Sequence, residues 1–397
     1  MDELLEISTK LIQSVSREFS RDQLVARGWP ERLLAIQGYR GTGKTTLILQ
    51  HLNELSKSQK VAYLSLDHFY FQNRPFYEVV KELHQLGYRT VALDEVHKYP
   101  DWSRQIKSLY DTYKNLKIIF SGSSILEIYR SSADLSRRAV GKTMPVLSLR
   151  EYIEMKEKIV LPVLELDEIL MDHQKEAIRI HNMIKNPLLY FREYLRSGAY
   201  PVFLEGNEHY QEKLMRTAML VIDTDIIAVT NMPFQSVQKL KKLLAFIAQA
   251  VPYKPNISEM AAFIEAKRDT VLVYLDLLQR AGLIRMVSLS GKTMGPMSKP
   301  EKIFLDNSNL CFALGFSEPN IGSLRETFIL SQLSYGYRVQ ASPVADFIVN
   351  ERYTLEIGGK NKNKKQIKGV KNSWVVADDL EVGNSHSVPL WLFGFLY

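Results

Sequence analysis

Gly38, Gly43, Lys44 and Thr45 stand in the spacing G-x-x-x-x-G-K-[ST] within GYRGTGKTTLILQHL, directly after the short apolar run Leu33–Gln37. Glycines at Gly41 and Gly43 let backbone N–H groups curl around phosphate oxygens where a side chain would obstruct. Lys44 then brings a cation to the β- and γ-phosphates, and the Thr45 hydroxyl is placed to ligate Mg²⁺. A helix opening near Lys44 points its positive end at the same spot. The expected nucleotide contacts are therefore Gly38, Gly41, Thr42, Gly43, Lys44, Thr45 and Thr46. The chemistry is that of ATP bound with Mg²⁺.

RTVALDEVHKYPDW supports this independently, because an apolar strand ends there in Asp94-Glu95. A phosphate-loop fold puts its Mg²⁺-binding acid at such a strand end. Asp94 is expected to hold the metal through water, since Mg²⁺ keeps much of its hydration shell. Glu95 is placed to polarise the attacking water as a general base. Asp67, ending the neighbouring strand in YLSLDH, falls near the same edge. A further strand in KIIFSGSS ends in Ser121 and Ser123, either of which suits a hydrogen bond to the γ-phosphate or the attacking water. Beyond it, DLSRRAVGKT offers Arg137 and Arg138, either a surface pair or a source of positive charge for a neighbouring subunit's site.

These residues need a frame. From Arg32 to about Leu147, apolar strands alternate with helical stretches, the pattern of an α/β fold with a parallel sheet covered on both faces. Strands are expected at Leu33–Gln37, Val61–Leu66, Thr90–Asp94, Leu116–Ser121 and Thr143–Leu147. A preceding helix would present Leu4, Leu5, Leu11 and Ile12 on one face. Residues 149–232 read as mostly helical, with an irregular patch at Gly198–Pro201. Three helices follow: Ser258 is a candidate cap for the second, the third spans roughly Asp269–Ala281, and Gly282 stops it. Leu283–Leu289 and a turn at Gly291 suggest a β-wing, so the segment reads as a winged helix, with Lys267, Arg268, Thr270 and Tyr274 on or just before its third helix. After Gly322 come a helix, two or three short strands, a lysine cluster and a final strand. The expected domains are 1–150, 151–235, 236–310 and 311–397.

Composition bounds the function classes. Apolar content of 46% with 24% charged residues is that of a folded protein. No basic start followed by an apolar segment marks a secretory signal, and no window reaches the roughly 20 apolar residues of a membrane span. The closing PLWLFGFLY reads as a buried strand. Cys311, the single cysteine, excludes an internal disulfide and a cysteine-based zinc site, which suits a reducing cytoplasm. A net charge of +7 is compatible with DNA without establishing it, but Lys360, Lys362, Lys364, Lys365, Lys368 and Lys371 crowd into one stretch. That cluster is either a solvated face or a polyanion-binding surface.

Gly38–Thr45, LDEVHKYPDW, FSGSS, the SRR segment leading into LSLREYIEM, and SGAYP, in this order, resemble the prokaryotic AAA+ ATPases that carry a C-terminal domain of unknown function. EIGGKNK at 356–362 is part of the same resemblance. It implies an AAA+ module, a helical lid region, a winged helix and a C-terminal restriction-endonuclease-like module, working as a homo-oligomer, a ring among the forms it takes. It also implies that Arg138 acts in a neighbour's site, although Arg137 stands where the family pattern has a small residue. Nucleases of the endonuclease-like type place an Asp on one strand and Glu-x-Lys on the next. Here Asp346 and Glu356 match, but position 358 is Gly, leaving Lys360 to reach back and Gln366 as a candidate partner. The expected activity is Mg²⁺-ATP hydrolysis that remodels nucleic acid. Alternatives are a nucleotide switch acting on a protein partner and an ATPase-controlled nuclease.

Overall fold

The computed structural model describes residues 1–21, 29–122, 135, 137–206, 208–230, 232–250, 254–291, 298–315 and 317–397. Its N-terminal elements run α1 (Asp2–Ser14), β1 (Leu33–Gly38), α2 (Lys44–Leu55), β2 (Val61–Ser65), α3 (Phe76–Gln85), β3 (Thr90–Asp94), α4 (Trp102–Thr112), β4 (Lys117–Ser121) and β5 (Val140–Met144). The five strands form one parallel sheet in the order β2-β3-β4-β1-β5. Such strands are buried on both faces, which is why they read as near-continuous apolar runs. Val91, Ala92, Leu93, Ile118 and Ile119 are all fully buried. Helix α3 contributes Val79, Val80 and Leu83 to this core, and α4 contributes Ile106 and Leu109.

The strand order has a direct consequence for chemistry. Because β4 lies between β1 and β3, its C-terminal residue Ser121 falls between the phosphate loop and Asp94.

Two expectations need correction here. The fifth strand is Val140–Met144 rather than Thr143–Leu147. It pairs from Leu34↔Val140 to Gly38↔Met144, and Pro145, which has no N–H to donate, ends the ladder. In α1 the buried face is Leu4, Ser8 and Ile12, whereas Leu11 is exposed. Ser8 is inside because its hydroxyl accepts the backbone N–H of Tyr63 at 2.8 Å.

The chain divides into two compact units, Met1–Val146 with Thr224–Asn231, and Leu147–Asp223 with Met232–Tyr397. The second opens with the helices Leu149–Glu157, Leu166–Met171, His173–Met183, Pro187–Ser197 and Tyr210–Leu220. Three more follow at Phe234–Ala250, Ile257–Phe263 and Arg268–Arg280, and then an antiparallel pair, β6 (Ile284–Val287) and β7 (Lys302–Leu305). Asn256, not Ser258, caps the middle helix, its side chain accepting the N–H of Glu259. Gly282, at φ 73°, follows the third helix as expected.

Beyond the helix Ile321–Leu333 lies a second five-stranded sheet, with three strands before the lysine cluster, as expected, and two after it, where one was expected. It consists of β8 (Val339–Ala341), β9 (Phe347–Val349), β10 (Tyr353–Gly358), β11 (Ser373–Ala377) and β12 (Ser387–Pro389), in the order β12-β11-β10-β9-β8. The pairs β10/β11 and β11/β12 are parallel, whereas β8/β9 and β9/β10 are antiparallel. The apolar C-terminal segment is buried, as expected, but Leu390–Phe395 is a 3-10 helix and not a strand. A Cβ on Gly394 would come 2.4 Å from Leu149 Cβ, so this turn depends on glycine for its close approach. Among the described residues no helix is long and apolar enough to cross a membrane.

Candidate nucleotide site and a second charged cluster

The phosphate loop leaves β1 through Gly38, where a Cβ would come 2.5 Å from the carbonyl of Met144 on β5. Gly41 and Gly43 take φ values of 83° and 91°, which a side chain would disfavour. Thr42 is buried and its hydroxyl donates to the carbonyl of Tyr39 at 2.9 Å, bracing the loop from within. Lys44 begins α2 and curls back, its Nζ donating to the carbonyls of Gly38 at 2.9 Å and Tyr39 at 2.7 Å. Burial, the largest cause, pushes its pKa down to about 8, against the opposing pull of Glu95 and Asp94. Thr46 is exposed on the outer side of the same turn.

Asp94 gathers hydroxyls. Thr45 Oγ1 donates to its Oδ2 at 2.6 Å, the Tyr63 hydroxyl donates to Oδ2 at 2.8 Å, and Ser121 Oγ donates to Oδ1. Tyr63 was not anticipated; it comes from β2, one strand away from β3. Burial and then the nearby Asp94 push its phenol well above the ordinary range, so it stays a donor. Thr45 and Asp94 thus present a hydroxyl and a carboxylate oxygen to each other, a hard oxygen pair of the kind Mg²⁺ prefers. The residues present fit that ion.

Glu95 sits in the left-handed region at φ 54°, and its N–H donates to Asp94 Oδ1 at 3.0 Å. Its Oε2 is buried and outside hydrogen-bond geometry, with Lys98 Nζ at 3.4 Å and His97 Nε2 at 3.6 Å. Lys98 also donates to Asp67 Oδ2 at 2.8 Å, which links Asp67 to the same edge. Ser123 lies outside the described residues. Arg138 makes a two-pronged ion pair with Asp111, at 2.9 and 3.0 Å. It precedes β5 at the end where Val140 pairs with Leu34, whereas Lys44 follows the opposite end of β1.

The second unit holds a different cluster. Asp346 and Glu356 come together as the sequence suggested, joined by Glu326 from the helix Ile321–Leu333. The cations are not the ones expected. Lys302 Nζ lies 3.0 Å from Glu326 Oε2 and 3.6 Å from Asp346 Oδ1. Lys362, rather than Lys360, pairs with Glu356 Oε1. A Cβ on Gly358 would come 2.6 Å from Lys362 Cγ, so the missing side chain at 358 is what lets Lys362 cross the strand. Lys360 is exposed, and so is Gln366, which lies in turns rather than on a helix. Burial first, and then the Asp346 carboxylate, raise the pKa of both Glu326 and Glu356. Among the described residues no group of three or more His, Cys, Asp or Glu side chains is arranged to hold a metal ion. In the three-helix segment, Lys267 and Arg268 are exposed, but Tyr274 is 5% exposed and belongs to the core.

Residues 30–153 match the family model described as an AAA domain, and residues 188–320 match a domain of unknown function (DUF8612). An uncharacterized protein of Methanocaldococcus jannaschii is 27% identical over 92% of this chain and 85% of its own length. Among solved structures, AMPPCP-bound DnaA from Aquifex aeolicus is 15% identical, covering 70% of this chain and 88% of that one at a TM-score of 0.25. PCH-2 of C. elegans is 14% identical, covering 66% and 65% at a TM-score of 0.25. These TM-scores are low, and the reading of the fold rests on the chain's own strand order and the family match. The match to an AAA domain covers most of the first unit.

Proposed function

We propose that the first unit binds and hydrolyses Mg²⁺-ATP. The observation that carries this reading is the convergence of Lys44, Thr45, Asp94, Glu95 and Ser121 at one edge of the sheet. Lys44 exchanges its two loop carbonyls for phosphate oxygens. Thr45 and Asp94 would hold Mg²⁺, which neutralises charge on the β- and γ-phosphate oxygens when bound. Glu95 accepts the proton of a water that attacks the γ-phosphorus, and ADP and phosphate are the products. Ser121, between loop and acid, is placed to sense the terminal phosphate.

Arg138 is assigned to a second copy's site. It precedes β5 at the end of the sheet away from its own Lys44, which supports a role in another chain's site rather than its own. In that role the working form is a homo-oligomer.

The downstream task favoured is nucleic-acid remodelling. Lys360, Lys364, Lys365, Lys368 and Lys371 are all exposed in the second unit, a surface suited to DNA phosphates. A reducing cytoplasm suits Cys311, whose burial pushes its thiol up to about 12. The three helices with β6 and β7 read as a winged helix, and the final sheet as a binding module that does not cut. Hydrolysis assays on Lys44→Ala and Glu95→Gln test the core of this reading. Lys44→Ala should lose ATP binding, whereas Glu95→Gln should bind ATP and turn it over roughly 10²–10⁴-fold more slowly. Full turnover in Glu95→Gln removes Glu95 from the role of base.

A further inference from the structure

Two charged residues at the phosphate loop have no part in the chemistry above. Arg40 is the third residue of the loop Gly38–Lys44. Its Nη1 is buried, makes no hydrogen bond, and lies 3.7 Å from Asp225 Oδ1. Asp225 is 2% exposed and comes from far along the chain. It sits in the π-helical turn Val221–Ile226, which continues into the short helix Ile227–Thr230. Single π-helical turns are rare and frequently fall at functional sites. Thr224–Asn231 belongs to the first unit although the chain on both sides of it belongs to the second.

The surroundings of this pair join it to the reacting groups. His97 Nε2 is 3.6 Å from Glu95 Oε2 and 3.9 Å from Asp225 Oδ1. Burial pushes His97 down to about 4, so at neutral pH it is uncharged and leaves Arg40 as a full positive charge facing Asp225. Both Arg40 and Asp225 are felt electrostatically by Lys44. A buried carboxylate therefore stands beside the place where a multiply negative ligand is to be received.

We infer that Arg40 contacts the terminal phosphate of the bound nucleoside triphosphate, and that Asp225 is the counterion it holds until that phosphate arrives. A guanidinium rooted in the loop presents a rigid fork of donors that matches phosphate oxygens. The buried Nη1 without a hydrogen bond gains one by the exchange, where leaving it unmet is costly. Asp225 loses the Arg40 charge, while the Thr224 hydroxyl still donates to it, and meets a like charge in a low-dielectric setting, so its hold on the first unit weakens. A diphosphate lacks the group that drives the exchange. Segment 221–230 thereby reads ATP against ADP, and the chain on both sides of it carries that reading into the second unit. This rests on the nucleotide-binding reading above.

The test combines affinity with hydrogen exchange, using the full chain, a non-hydrolysable ATP analogue and ADP. Arg40→Ala should lose roughly tenfold to hundredfold in affinity for the analogue while keeping its affinity for ADP, with Arg40→Lys intermediate. Exchange in residues 221–230 should rise with the analogue and not with ADP. Asp225→Asn should show fast exchange there without nucleotide and should bind the analogue more tightly than wild type. A wild-type ratio of analogue to ADP affinity in Arg40→Ala, or exchange indifferent to the analogue, overturns the inference. If Arg40→Ala does not fold, unchanged affinity and exchange in Asp225→Asn overturn it equally. Binding that depends on Lys44 but not on Arg40 defeats this inference alone, whereas no nucleotide binding by wild type defeats the nucleotide reading itself.

Discussion

Both units bury carboxylates beside lysines, and the partners they choose are opposite. In the first, Asp94 is held by the neutral hydroxyls of Thr45, Tyr63 and Ser121, and Lys44 by neutral backbone carbonyls. At Asp94 and Lys44 charge is positioned without being cancelled, although at the same edge Lys98 faces Glu95 and Asp67, and Arg40 faces Asp225. In the second, Lys302 faces Glu326 and Asp346, Lys362 pairs with Glu356, and Arg325 donates to Asp378 at 2.8 Å. Asp346 further accepts the N–H of Ile357 at 2.8 Å. Charge there is cancelled on the spot. Hydrogen bonds to neutral groups orient an ion and leave its field free for an incoming ligand, whereas ion pairs consume that field. The first arrangement is prepared for a charged substrate, and the second holds a sheet together.

Arg138 gives the comparison its severest trial. It is paired with Asp111, like the charges of the second unit, yet we assign it an active part. In the assembled protein Arg138→Ala should cut ATP hydrolysis by roughly 10³-fold or more while nucleotide affinity stays near wild type. Mixing Arg138→Ala with Glu95→Gln chains should restore part of the rate, since some interfaces then join an intact site to an intact arginine. A wild-type rate in Arg138→Ala would return that residue to the structural pairs.

Lys362→Ala tests the opposite end. Glu356 is 1% exposed and would lose its cation, so thermal or denaturant unfolding at neutral pH should show a loss of about 1–3 kcal/mol. That is below the cost for a fully buried pair because the Lys362 side chain is 33% exposed. The sign with pH follows from Glu356, whose pKa already lies above its ordinary 4.5. A raised folded pKa contributes stability that is complete in acid and is lost as pH rises through the folded value. Removing Lys362 raises that pKa further, so the deficit should shrink below about pH 4.5. An equal deficit at both pH values would show that packing, not charge, is what Lys362 supplies.

Lys44 predicts a smaller effect. With its pKa near 8, binding ATP above that pH requires taking up a proton. Affinity for the ATP analogue should fall by about tenfold between pH 7 and pH 9, with proton uptake visible by calorimetry in buffers of different ionisation enthalpy. A flat profile would mean that burial does not lower the Lys44 pKa as described. Smallest is the change expected from replacing Lys360, Lys364 and Lys365 with Gln. DNA binding should weaken, and its dependence on salt should flatten by roughly two to three in slope. An unchanged slope would leave the cluster as a solvated loop.

The phosphate loop, the strand ending at Asp94 and the parallel sheet were legible because each is local. Periodicity marks a strand, glycines mark the loop, and neighbours in sequence supply the rest. Boundaries failed where a partner decided them, as when pairing with β1 moved the fifth strand to Val140–Met144. Ser8 could not be placed inside α1 without knowing that Tyr63 offers it an N–H. Lys362 was passed over for Lys360 because strand alternation, not the clearance above Gly358, was the only guide.

What the sequence determined by itself is therefore the chemistry on offer: a cation and a hydroxyl at the head of a helix, two acids at the end of a strand, and a stretch rich in lysine. Only the tertiary structure decided which of those charges are cancelled. It set Tyr63 and Ser121 on Asp94, placed Asp225 opposite Arg40, and drew Lys302 between Glu326 and Asp346. Those partners are remote along the chain. Electrostatic interaction falls with distance in space, and nothing in the order of residues records that distance until the sheets have formed.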